Sequence, residues 1–197
     1  MVAHGLRVRS APVQVQTTSL EGVLLFVPTP FRDERGFFSR TFDAADARAV
    51  GLDPDAFVQD SQSRSARGVV RGMHGRRGGG EAKLVRCAHG AIHDVVVDAR
   101  AGSPTFGRMA AFQLDDENLH TLYIPRGFLH GFQALTDTAD TCYRIDAPHD
   151  PSEDVSVAFA DPELAIAWPL PPSMVSDRDR AAGSWAEARA LLAPAHA

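Results

Sequence analysis

Between Val23 and Phe159 the chain is a succession of short β-like runs, each closed off by Gly, Pro, Asp or Ser. The runs are VLLFV (Val23 to Val27), FFSRTF, FVQD, VVRGM, KLVRCA, AIHDVVVDA, FGRMAAFQL, HTLYIP, FLHGFQAL, TCYRI and VSVAF. Many short strands with frequent turn residues favour a sandwich or a barrel, because each strand must bury a face against a second layer. AIHDVVVDA is apolar on both faces, which predicts a central strand covered on both sides. Two segments break the pattern. In TFDAADARAVG, Asp43 is placed to cap a short helix that Gly51 ends. Beyond Pro172 the chain reads as a loop and then a helix on which Trp185, Ala188 and Leu192 share one face, predicting that it packs on the outside of the β core. With no repeat or linker, residues 1–197 read as one domain, its core at 22–170 and its terminal loop and helix at 173–193.

Composition narrows the partners. A formal net charge of −5 provides no basic field for nucleic acid. No apolar stretch approaches the ~20 residues of a membrane helix, and the first twenty residues lack an apolar signal core. The expectation is a cytoplasmic protein without a nucleic-acid or membrane partner. Cys87 and Cys142 sit in apolar runs without paired-ligand spacing and read as reduced core thiols.

Of eight histidines, His4 and His196 lie near the termini, His89, His120 and His149 at turns or strand edges, and His93 inside a buried run. His74 and His130 differ: each accompanies a Gly-containing strand end that points toward the mouth of a barrel, where ligands commonly bind. Pro125, Gly127 and His130 form P-x-G-x-x-H, which resembles the second sequence motif of the cupin superfamily of double-stranded β-helix jelly rolls. The H-x-H of metal-binding cupins is missing, since Gly75, Arg76 and Arg77 follow His74 and two cations would repel an ion. No metal is expected. Arg71, Arg76, Arg77 and Lys83 surround Gly78 to Gly80, and such a rim suits a diphosphate, with a solvated loop as the alternative. From local sequence alone, Tyr143 reads as strand packing and Asp179 as an exposed acid or helix cap.

Seven ordered blocks together carry a more specific signal: FRDERGFF (Phe31 to Phe38), FVQDSQSRSARGVVRGMH (Phe57 to His74), KLVRCAHGAIHDVVVD (Lys83 to Asp98), GSPTFG, YIPRGFLHGF, DPELAIAWPL and VSDRD (Val175 to Asp179). They resemble the dTDP-4-dehydrorhamnose 3,5-epimerase family, a cupin-fold group of deoxysugar enzymes. The resemblance implies an all-β, cupin-type jelly roll with a short N-terminal helix and a C-terminal helix. It also implies a cofactor-free isomerase acting at C3, C5 or both of a nucleotide-linked 4-keto-6-deoxyhexose. On the matching positions, His74 takes the role of base and Tyr143 of acid, Asp179 orients His74, and Lys83 stabilises the developing enolate. His130 surrounds the sugar; Gln59, Ser61 and Arg71 contact the nucleotide; Asp154 and Arg178 are further substrate contacts; Arg35 reaches the neighbouring subunit of a homodimer.

The chain also departs from the family's pattern. Arg40 stands where a Glu is usual near the base, Ser61 replaces an Asn, and His149 replaces an aromatic that stacks on thymine. Gly75 and Arg76 replace an aromatic and a Gln, which alters the expected sugar pocket. The nucleotide is therefore expected to be dTDP, with GDP as the alternative. A sugar-nucleotide 3,4-ketoisomerase, a non-catalytic sugar-nucleotide-binding cupin and a metal-dependent cupin oxygenase are the rival readings.

Overall fold

Alternating burial sorts the strands into two facing sheets. The computed structural model describes residues 13–192, so His4 and His196 lie outside the described residues. One sheet has six strands, in the order β1 (Gln14–Thr17), β2 (Leu24–Val27), β10 (Thr121–Ile124), β7 (Lys83–His89), β12 (Thr138–Ile145) and β5 (Gln59–Ala66). The other has five: β13 (Asp154–Ser156), β6 (Val70–Arg76), β11 (Phe128–Ala134), β8 (Ala91–Asp98) and β9 (Met109–Asp115). Neighbouring strands in both sheets are antiparallel. Strands β3 (Phe31–Asp33) and β4 (Gly36–Phe38) form a separate hairpin.

This is the expected jelly-roll class, but the sheets do not close into a ring. β5 and β13 end their sheets without pairing to each other. The mouth expected of a barrel is instead the open end between two sheets.

Between the sheets lie Val85, Cys87, Ile92, Val96, Leu122, Phe128 and Phe132. Met73, Val95, Val97, Leu129 and Val155 point the other way and are covered by Leu164, Trp185 and Ala188 of the C-terminal segment. β8 is thus buried on both faces, as its sequence requires. Both cysteines are buried and free, and burial pushes the Cys87 thiol up to about 12.

The helices obey their local signals. Asp43 caps α1 (Ala44–Ala49), accepting from the Ala45 N–H at 2.8 Å, and Gly51 follows with φ +80°. A four-residue helix, α2 (Asp177–Arg180), interrupts what reads as loop, with Ser176 as its cap. α3 (Trp185–Leu192) starts with a reciprocal Ser184/Glu187 box, and its first N–H donates to buried Asp161 at 2.9 Å.

Several strand boundaries differ from the sequence reading, and β1 and β3 lie outside its runs. FFSRTF keeps only Phe37 and Phe38 as strand, because no third strand extends the hairpin and Arg40 turns to pair with Asp43. FVQD starts strand only at Gln59 but runs on to Ala66, since β5 pairs along all of β12 and can be polar at an edge. VSVAF keeps only Val155 and Ser156 as strand, in β13, after which Val157 bridges to Gly183 in the C-terminal segment.

Candidate active site

A cavity of about 920 Å³ opens between the sheets near β5 and β6. Its walls come from both layers: Lys83 and Tyr143 from the six-stranded sheet, Arg71, His74 and His130 from the five-stranded one. The loop from Met174 to Ser176 and helix α2 close one side.

On β6, Arg71 and His74 are separated by an odd number of steps, which in an unbroken strand would put them on opposite faces. They share the cavity because the pairing with β11 slips between them: His130 faces His74, whereas Phe132 faces Arg71. Such a bulge adds one residue to one strand and re-aims the side chains beyond it. Gly72 sits in it at φ +131°, and a Cβ there would come within 2.5 Å of Gly131 Cα. The backbone approach therefore requires glycine at that position.

His74 Nε2 lies 2.6 Å from Oδ1 of Asp179, which is only 3% exposed. Burial by itself would push the Asp179 carboxyl up, but the hydrogen bond and charge of His74, with the Gly72 N–H, hold it below the usual range. An ionised carboxylate accepts, so it fixes the neutral imidazole with its proton on Nε2 and leaves the Nδ1 lone pair free. Asp179 is thus neither exposed nor a cap. Ser176 caps α2, and the helix turns Asp179 inward.

Tyr143 projects from β12 into the cavity, where its hydroxyl lies 3.1 Å from Ser63 Oγ. Burial pushes the phenol up to about 12, so it keeps its proton at neutral pH. Its ring meets the His130 ring edge to face at 6.4 Å, and His130 Nε2 lies 2.8 Å from Asp94 Oδ2. Lys83 Nζ lies 2.9 Å from Glu81 Oε1. Arg71 is held at the mouth by bonds to Ser65 Oγ at 2.9 Å and to the Arg64 carbonyl at 3.1 Å.

The cavity wall of this chain thus brings together His74, Tyr143, Asp179, Lys83, Arg71, His130 and Arg178. Arg178 pairs with Asp154 at 3.0 Å, which places Asp154 directly behind the wall. Gln59 and Ser61 do not line the cavity, although Ser61 stands opposite Tyr143 in register. Arg40 belongs to a separate apolar recess beside α1. Arg35 is at the tip of the β3–β4 hairpin, paired with Asp33. His149 is exposed and lies 3.3 Å from Arg76 Nη2.

Two expectations about the residues after His74 are corrected. Gly75 does not reshape the cavity, because it faces the opposite way; a Cβ there would collide with Leu129 Cδ2 at 2.7 Å. Arg76 is buried rather than solvated, and with Arg77 and Gly78 to Gly80 it lines a different recess, away from His74. The sequence reading missed Ser63, Glu81 and Asp94. Only register could have found Ser63, and only a tertiary contact Asp94.

Among the described residues no group of three His, Cys, Asp or Glu is arranged to hold a metal ion. A base with a free nitrogen and a protonated phenol on facing sheets can instead move a proton from one face of a bound molecule to the other.

The sequence profile described as dTDP-4-dehydrorhamnose 3,5-epimerase matches residues 17–187. The chain belongs to this family. An enzyme named dTDP-4-dehydrorhamnose 3,5-epimerase from Methanothermobacter thermautotrophicus is 41% identical over 166 residues, covering 83% of this chain and 89% of the relative. A dTDP-4-dehydrorhamnose 3-epimerase from Streptomyces niveus is 40% identical over 188 residues, 94% of this chain and 90% of the relative. Among solved structures, a dTDP-6-deoxy-D-glucose-3,5-epimerase from Legionella pneumophila in complex with dTDP-4-keto-L-rhamnose superposes with a TM-score of 0.85 at 38% identity. That match covers 94% of this chain and all of the other. The epimerase family thus includes relatives named for one carbon and relatives named for two.

Proposed function

We infer that this chain is an isomerase that epimerises a nucleotide-linked 4-keto-6-deoxyhexose at C3, C5 or both, through an enolate. The observation that carries the mechanism is the Asp179-bound His74 and the protonated Tyr143 facing one cavity from opposing sheets. His74 Nδ1 takes the proton from the carbon beside the C4 ketone, and the bonding electrons pass to the C4 oxygen. Lys83 is assigned to that oxygen, with His130 beside the sugar, and a preorganised positive donor at a developing oxyanion is often the largest catalytic contribution. As the enolate collapses, Tyr143 gives its proton to the opposite face of the same carbon. Exchange with solvent then returns a proton to Tyr143 and removes one from His74, so no cofactor or metal is needed in this scheme.

Arg71 and Arg178 are suited to the diphosphate, as guanidinium forks at the cavity rim. Gln59, Ser61, His149 and Asp154 would extend the site toward the nucleotide, with dTDP as the first choice and GDP as the second. Arg35 is assigned to the site of a partner in a homodimer, which its hairpin supports: Phe31, Phe37 and Phe38 there are exposed and lack a covering layer. Arg40, paired with Asp43, has a lesser claim to substrate. We treat residues 1–197 as one catalytic domain acting in the cytoplasm, in keeping with free buried thiols. No described helix is long and apolar enough to cross a membrane.

The test is incubation in D₂O with dTDP- and GDP-linked 4-keto-6-deoxyhexoses, followed by proton NMR at C3 and C5. Deuterium at both carbons is expected of a 3,5-epimerase and at one of a mono-epimerase. Movement of the ketone from C4 to C3 would identify a ketoisomerase. Binding without exchange at either carbon would leave a non-catalytic binding protein and sink the epimerase reading.

A further inference from the structure

Behind Lys83 lies a buried chain of charges that the proton-transfer scheme does not use. Glu81 places Oε1 2.9 Å from Lys83 Nζ and Oε2 3.1 Å from Arg76 Nη1. All three side chains are shielded from solvent: Arg76 is 4% exposed, and Glu81 and Lys83 are 13% each. Arg76 is anchored in turn by the Pro148 carbonyl at 2.8 Å and lies 3.9 Å from the Asp154 carboxylate.

A carboxylate this close to Lys83 poses an electrostatic problem. Alone, Glu81 would cancel the positive charge that Lys83 offers to an enolate oxygen, and burial would make that cancellation strong. Arg76 restores the balance: with Asp154 matched by Arg178 at 3.0 Å, Arg76⁺, Glu81⁻ and Lys83⁺ leave one net positive charge, with the free end of the chain at the cavity. Glu81 can then fix the position of Lys83 Nζ without neutralising the group.

We propose that Arg76 and Glu81 are a charge-balanced positioning pair for Lys83, holding its ammonium at the enolate oxygen while keeping the local net charge positive. This rests on the epimerase reading above. Because the charge matters chiefly once the enolate forms, the pair acts on turnover more than on substrate binding.

The test is a double-mutant cycle on the full chain, with kcat and KM from the deuterium-exchange assay and unfolding midpoints for every variant. Arg76→Gln leaves Glu81 to neutralise Lys83 and should lower kcat by about tenfold or more, with KM changed by less than about twofold. Adding Glu81→Gln removes the surplus carboxylate, so the double variant Arg76→Gln/Glu81→Gln should regain most of the lost kcat. Arg76→Lys keeps the charge and should stay within about threefold of the parent. It also keeps the proposal open to test if the neutral variants unfold. Loss of packing alone predicts the reverse, a double variant no faster than Arg76→Gln and an Arg76→Lys variant as slow as Arg76→Gln, and either result would overturn the proposal. Parent exchange is the control: its absence would defeat the epimerase reading and this inference together, whereas parent exchange with additive losses would defeat this inference alone.

Discussion

Asp179 reaches His74 at 2.6 Å from 105 residues further along the chain, carried there by a helix of only four residues. The contact sets which nitrogen of the imidazole bears a proton, and so makes Nδ1 the basic one. His74→Ala should lower exchange by at least about 10²-fold, the lower end of general base catalysis. Asp179→Asn keeps the shape but can donate to the imidazole, favouring the wrong tautomer, so it should also slow exchange while leaving substrate affinity nearly intact. Proton NMR in D₂O with a binding titration measures both, and parent-like exchange in His74→Ala would reject the assignment.

Tyr143→Phe removes the proton donor without emptying the space it fills. Exchange initiated by His74 should persist, with deuterium returned to the original face, while formation of inverted sugar collapses. Comparing isotope uptake with the appearance of epimer separates the two steps. Parent-like inversion would mean that another group supplies the acid.

The bulge on β6 can be tested by stability. Gly72→Ala forces a Cβ into contact with Gly131 at a backbone conformation that side chains resist, and should cost about 2 kcal/mol or more. Urea unfolding measures this, and a loss within about 0.5 kcal/mol would show that the strands tolerate separation.

Asp98 controls acid stability away from the cavity. Burial would push its carboxyl up, but hydrogen bonds from Arg100, Ser103 and Thr105 outweigh this and lower it from 3.8 to about 2. The resulting stabilisation, about 2 kcal/mol, is complete above pH 4 and is lost as pH falls toward 2. Asp98→Asn should therefore be less stable than the parent at pH 7, with the gap narrowing through that window. A gap that stays constant from pH 7 to pH 2 would rule this out.

Much of this was legible in the sequence because it depends on local pattern. The punctuated strands, the Asp43 and Gly51 signals around α1, and the Trp185 and Ala188 face of α3 are properties of neighbouring residues. Arg71 and His74 were identified by resemblance, but an alternating strand would have separated them, and only the slipped register shows how they meet. The burial of Arg76 is not legible, because a run of Arg and Gly has no sign of the Glu81, Pro148 and Asp154 partners that draw it inward. Asp179 likewise has the local sequence of a surface acid, and its burial is a tertiary fact.

The C-terminal segment covers the outer face of the five-stranded sheet and delivers the carboxylate that the imidazole requires. During synthesis, then, the strands that shape the cavity emerge well before the residue that completes its proton acceptor. A chain halted before α2 would hold a pocket with an unguided base, and competence for the reaction would arrive only with that helix.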